Sequence, residues 1–223
     1  MGIFSSEKIS NLYWLGRYLD RTQSALKLFM DYFDLMIDGD KNTYRTFCQT
    51  TGIPDVYADK ADFIHQYPFD TTNPHSVISN VNRAFDNAVV MRDTLGSDTL
   101  AYLQMVLYDL RSAESNEERL MIGMQNAIDH LLAFWGCLDD MVDDEATRNT
   151  IKLGKQVEHL ELDLRLKRPR SCLQRDYKRL ENRLLHSFLP YDQALIDTIE
   201  PMLLQDSVDH ENALMLLHQL LVV

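Results

Sequence analysis

Between residues 11 and 36 the apolar side chains Leu12, Leu15, Leu19, Leu26, Phe29, Phe33 and Met36 recur at steps of three and four, and Thr22 fills the one gap. That period puts them on a single stripe of an α-helix. Gly16 and Asp20 stand one turn apart beside the stripe, so a position with no side chain adjoins a carboxylate at the edge of the buried face. A second helix can come close there. The same spacing returns late in the chain, where Leu153, Gly154, Lys155, Val157, Glu158, Leu160 and Leu164 match Leu15, Gly16, Arg17, Leu19, Asp20, Thr22 and Leu26. The match marks a diverged internal repeat, with its two helices at about 6–38 and 144–168.

Further helical patterns follow in order. Ser5 and Ser6 are placed to cap the first helix, and Gly39 to end it as a left-handed cap. Residues 41–51 and 55–66 read as short helices, the first stopped by Gly52 and Pro54. Pro68 and Pro74 make 67–75 a loop, from which Asn73 is expected to cap a helix beginning at Pro74 and reaching about residue 95. Helices are expected at 99–111, from a cap at 115–118 to Met141, and from Asp143 or Asp144 through the second repeat. Three more follow: one at 170–188, then two that Pro190 and Pro201 bracket. No stretch alternates with period two for long enough to make a strand. The expected fold is all-α: one domain over 1–223, a mostly antiparallel bundle with the two repeat helices at its centre.

Composition narrows the partners. Twenty-two Lys and Arg against 34 Asp and Glu give a net charge of −12, which argues against duplex nucleic acid or an anionic membrane as the partner of the surface as a whole. Cys48, Cys137 and Cys172 are widely spaced and form no CxxC pair, as expected of thiols in a reducing compartment. The first residues, MGIFSSEKIS, lack a cationic stretch followed by an apolar run, and no apolar run approaches the roughly 20 residues that span a bilayer. The expected address is the cytoplasm, as a monomer or homodimer.

Two sets of residues hold the candidate chemistry. Asp20 and Glu158 occupy equivalent positions of the repeat, each in the turn after a glycine, with Arg17, Arg21, Lys155 and His159 near enough in sequence to pair with them. Carboxylates at the edge of a core persist when paired, and such networks fix helix register. The competing reading is a metal site drawn from Asp20, Glu158, His159, Glu161, Asp129 and His130. Di-iron bundles need Glu-x-x-His on two helices, however, and the chain offers only Asp62-x-x-His65. No catalytic residue, cofactor or metal is therefore assigned. The second set is basic: Arg165, Lys167, Arg168, Arg170, Arg175, Lys178, Arg179 and Arg183 cluster on an otherwise acidic chain.

Several of these segments resemble one family. LYWLGRYLDR and LGKQVEHLELDLRL are similar to the two LGR-x-x-ER helices of the bacterial alpha-E domain family. Residues 69–76, FDTTNPHS, resemble its FD-x-x-NP-x-S segment, and RAFDNA its AREN-A helix. The chain departs from that pattern with Asp20 for Glu, Gln23 for an acid, Lys155 for Arg and His159 for Arg. The resemblance implies a helical protein encoded beside ATP-grasp ligases and transglutaminase-like proteins, in systems that make or process peptides. The function expected is a non-catalytic partner or substrate-presenting module. Its contact surfaces would be the loop with Asp70, Asn73 and Ser76, and the basic face with Arg168, Arg170, Arg175 and Arg179. A metal- or ligand-binding helical enzyme and a self-associating structural protein are the alternatives. With histidine standing for arginine at 159, half of the polar network becomes pH-dependent.

Overall fold

The computed structural model describes residues 5–39, 42–115, 117–205 and 207–221. Among them eleven α-helices run in order: α1 (Ser6–Asp38), α2 (Thr43–Thr51), α3 (Lys60–Gln66), α4 (Val77–Val90), α5 (Arg92–Leu95), α6 (Ser97–Glu114), α7 (Leu120–Met141), α8 (Glu145–Arg165), α9 (Arg170–Leu185), α10 (Gln193–Leu204) and α11 (His210–Gln219). The described residues contain no strand; Tyr191 and Leu221 make one isolated bridge. The fold is all-α. None of these helices is long and apolar enough to cross a membrane.

Local chemistry sets the helix ends. Ser5 Oγ accepts from Lys8 N–H at the start of α1, and Asp144 accepts from Thr147 N–H at the start of α8. Gly52 and Gly96 take left-handed backbone at helix ends, where a side chain would be strained. Four expectations are corrected. Gly39 does not adopt that conformation. Only Lys60–Gln66 of the expected 55–66 helix forms, because Asp59 turns out of the helix and accepts from Asp62 N–H. The cap of α4 is Ser76, not Asn73: Ser76 Oγ accepts from Ser79 N–H, while Asn73 accepts from His75 N–H inside the preceding turn. Pro201 lies within α10, in its last turn and a half, instead of separating two helices. Lys41 and Asn116, expected in a helix start and a cap, lie outside the described residues.

The contacts gather the chain into two compact units, one of residues 1–20 with 144–223 and one of residues 21–143. In the second unit, Phe29, Phe47, Phe63, Tyr57 and Tyr67 form an aromatic core in which Phe63 and Tyr67 stack with centroids 5.2 Å apart. At Gln23, where the family pattern favours an acid, the amide oxygen accepts from the Trp135 indole at 3.2 Å. A long helical pair, α6 and α7, completes that unit, with Gly123 fitted against Ala113.

In the first unit α8 packs on α9 and α11, and α10 covers both of these. The buried side chains include Leu153, Leu160, Leu173, Leu180, Ile199 and Leu217. The start of α1 crosses α8 at the two repeat glycines, and the contact is reciprocal. A Cβ on Gly16 would penetrate the carbonyl oxygen of Ile151 and stand 2.9 Å from Lys155 N. A Cβ on Gly154 would penetrate the carbonyl oxygen of Tyr13 and stand 3.0 Å from Arg17 N. Ile151 is the repeat counterpart of Tyr13, and Lys155 that of Arg17, so the crossing has a local two-fold relation. One α-hydrogen of each glycine faces a carbonyl of the other helix, the geometry of a Cα–H···O contact. Tyr13 meets Gly154, Arg17 meets Glu158 and Asp20 meets His159. The numbers climb together, so the helices run in the same sense where they touch. Antiparallel packing is the rule for helices joined by short loops, and these two are separated by more than half the chain.

This crossing predicts a contrast among glycines. Gly16→Ala or Gly154→Ala should cost about 3 kcal/mol or more, since the added methyl meets backbone that cannot yield locally. Gly136→Ala, in the interior of α7 with open space around it, should gain about 0.5–1 kcal/mol. Urea unfolding of the three variants checks both signs.

Candidate functional site

The polar groups beside the glycine crossing form one connected network. Arg17, on the first turn after Gly16, directs Nε to Glu158 Oε2 at 2.7 Å and Nη2 to both Glu158 and Glu161. Its Nη1 donates to the Tyr13 hydroxyl at 3.4 Å, and its guanidinium lies over the Trp14 ring, 5.5 Å from the centroid. Arg17, Glu158 and Glu161 are all buried. Burial alone would depress the Arg17 pKa; Glu158 foremost, with Tyr13 and Glu161, reverses that and holds it above the usual value.

Glu161 is the hub. Besides Arg17 it accepts from Arg165, one turn on, at 3.0 Å, and from His218 of α11 at 3.0 Å. Burial pushes its carboxyl up, but Arg17, His218 and Arg165 together bring it down to about 2. The Tyr13 hydroxyl moves the other way, raised by burial more than Arg17 lowers it.

On the same two helices Asp20 Oδ2 lies 3.4 Å from His159 Nδ1. Asp20 is buried and His159 half-buried. The Asp20 carboxylate beside the ring raises the His159 pKa, against burial, with Asp163 and Asp176 adding to the rise. Asp163 follows His159 by one turn of α8, and Asp176 faces them from α9. Burial and the neighbouring Asp176 raise the Asp163 carboxyl.

Of the six residues proposed for the polar network, Arg17, Asp20, Glu158 and His159 meet at the crossing. Lys155 contributes its backbone nitrogen to the Gly16 contact. Arg21 falls in the second unit, where its charge acts on Tyr67 and, with Arg83, lowers the His75 pKa already depressed by burial. Glu161, His218, Asp163 and Asp176 enter without having been expected in the network.

Four of the six residues considered for a metal are engaged with other partners. Glu158 and Glu161 hold Arg17, while in the second unit Asp129 accepts from Gln125 and His130 pairs with Asp109 at 2.7 Å. In the proposed contact loop, Asp70 accepts from the Thr72 amide and hydroxyl, which lowers its pKa, and Asn73 donates to the Tyr57 hydroxyl at 3.0 Å. On the basic face Arg175 and Arg179 bind Asp176, Arg168 lies 3.9 Å from Asp163, and Arg170 donates to the Leu204 carbonyl.

A model described as a predicted alpha-helical domain with a conserved ER motif, Alpha-E, matches residues 5–193. The chain belongs to the Alpha-E family. No curated protein and no solved structure matches it. The ER positions suggested by the LGR-x-x-ER resemblance are Asp20-Arg21 and Glu158-His159. Two departures from that Alpha-E pattern, aspartate for glutamate and histidine for arginine, therefore face each other across the crossing. The family match also spans parts of both compact units.

Two outcomes follow. Arg17→Met leaves two buried carboxylates without their shared cation and should cost about 3–5 kcal/mol, and adding Glu158→Gln and Glu161→Gln should recover most of the loss in urea unfolding. The second concerns pH. A histidine whose folded pKa is raised above its unfolded 6.5 contributes stability that is complete below pH 6.5 and is lost as pH rises through the folded value. In metal-free buffer the thermal midpoint should therefore fall between pH 6 and 8 in the native chain and stay flatter in Asp20→Asn.

Proposed function

We propose that this Alpha-E chain is a non-catalytic helical partner, or substrate-presenting module, of a bacterial peptide-synthesis or peptide-modification system with ATP-grasp and transglutaminase-like components. The observation that carries the reading is the contrast between the two charged regions of the first unit. At the crossing, Arg17, Glu158 and Glu161 are buried and direct their donors and acceptors to one another, the behaviour of a framework that fixes helix register. On the outer face Arg168, Arg175 and Arg179 keep 53%, 54% and 60% of their side chains exposed on a chain of net charge −12. A local basic face on an acidic protein steers an acidic partner into one orientation. The cytoplasm suits this reading, and Cys48, Cys137 and Cys172 are free thiols.

The test is whether ATP-grasp or transglutaminase-like proteins are encoded beside the gene and, with those found, complex formation measured by calorimetry. The paired change Arg168→Ala and Arg175→Ala leaves Arg179 on Asp176. It should weaken the complex about tenfold or more with an unchanged helical circular dichroism spectrum. Absence of such neighbours, absence of a complex with them, or an affinity indifferent to the paired change would reject the proposal.

A further inference from the structure

Beside the crossing, α8 and α9 gather three groups of metal-binding type. One ring nitrogen of His159 and one carboxylate oxygen each of Asp163 and Asp176 lie within 4.8 Å of one another. This is not a solvated acidic patch. Asp176 is completely buried and Asp163 nearly so, and two carboxylates brought together out of water repel each other unless a cation or a shared proton stands between them.

An independent feature points at the same place. Asp20 Oδ2, buried on α1, makes no hydrogen bond, and the nitrogen nearest to it in an ion pair is His159 Nδ1 at 3.4 Å. A histidine that ligates a metal through one nitrogen turns the other toward a carboxylate, which fixes its tautomer and orientation. With Nδ1 turned to Asp20, Nε2 is the nitrogen left to bind.

We propose that His159, Asp163 and Asp176 bind a divalent transition-metal ion, with Asp20 as the positioning residue behind the imidazole. One imidazole and two carboxylates form a nitrogen–oxygen donor set that suits Zn2+ or Mn2+ better than the soft, thiolate-seeking ions. Donors around zinc bind at about 2.0–2.2 Å, so the three groups draw together when the ion enters. The cations around the cluster fit that role. Arg175 reaches Asp176 Oδ2 at 3.0 Å and Arg179 reaches Oδ1 at 3.1 Å, yet each carboxylate oxygen has a second lone pair. These arginines act as outer hydrogen-bonding partners of a ligating carboxylate, and Arg168 stands farther off, 3.9 Å from Asp163. Three protein ligands leave at least one coordination position for water or a small ligand, on the side where His159 is exposed. The site does not depend on the partner reading above, and its test uses the chain alone.

The experiment is calorimetric titration of the EDTA-stripped full chain with ZnCl2 and, separately, MnCl2. One ion per chain is expected, with zinc the tighter. His159→Gln and Asp163→Asn should each abolish stoichiometric binding, and Asp20→Asn should retain one site at about 10- to 100-fold lower affinity. His159 is half-exposed, so His159→Gln reports even if a change at the buried Asp163 or Asp176 disturbs folding, and circular dichroism verifies each variant. Failure to bind either ion more tightly than about 100 μM, which corresponds to roughly −5.5 kcal/mol, would overturn the proposal. So would binding that His159→Gln leaves unchanged, the mark of adsorption to other surface histidines.

Discussion

Two helix backbones touching with no side chain between them is the constraint on which the first unit rests. At Gly16 and Gly154 each helix lays its α-carbon on the other's carbonyl, and any larger residue would hold them apart. Van der Waals attraction falls off within an ångström, so this proximity is available only where both helices lack a side chain at the same point. Arg17 then reaches across to Glu158 and Glu161, and Asp20 to His159, because each follows its glycine by one or four residues. The backbone contact fixes the positions from which the polar network is made.

Burying these charges carries a desolvation penalty that pairing offsets only when the geometry is good. Here the geometry is specific. Arg17 presents a planar guanidinium to two carboxylates, and Glu161 is shared among Arg17, Arg165 and His218. Through His218 the network extends to α11, so one carboxylate ties three helices of the unit together. A slip of α1 by a single residue would rotate Arg17 about 100° away from both glutamates. The network therefore selects one register more than it adds net stability.

The legible part of this architecture was periodic. Spacing alone disclosed the stripe from Leu12 to Met36, the duplicated helix and the closeness of Asp20 and Glu158 to a crossing. What escaped was the choice of partner. Glu161 meets His218, 57 positions later, and nothing in the local pattern of either residue says so. Asp163 is one turn from His159 and was legible as a neighbour on one helix face; Asp176 arrives only because the short connection at 166–169 folds α9 back onto α8. The Glu-x-x-His spacing of di-iron bundles does not cover the i, i+4 pair of His159 and Asp163. At helix ends competition decided. Asn73 and Ser76 both have capping side chains, but Asn73 is held in the loop by His75 N–H and the Tyr57 hydroxyl, leaving the amides of α4 to Ser76. Pro201 has the chemistry of a boundary, yet α10 continues through it at the loss of one backbone hydrogen bond.

The division of the chain carries a consequence for its synthesis. Residues 21–143 are contiguous, so that unit has all its material once the ribosome has passed residue 143 and the exit tunnel. The other unit joins the first 20 residues to the last 80. Its glycine-bearing segment before residue 21 emerges ahead of that unit with an apolar face and no mate, and has to wait for α8 to be translated. During that interval the exposed stripe is available to chaperones, or to another nascent chain of the same kind.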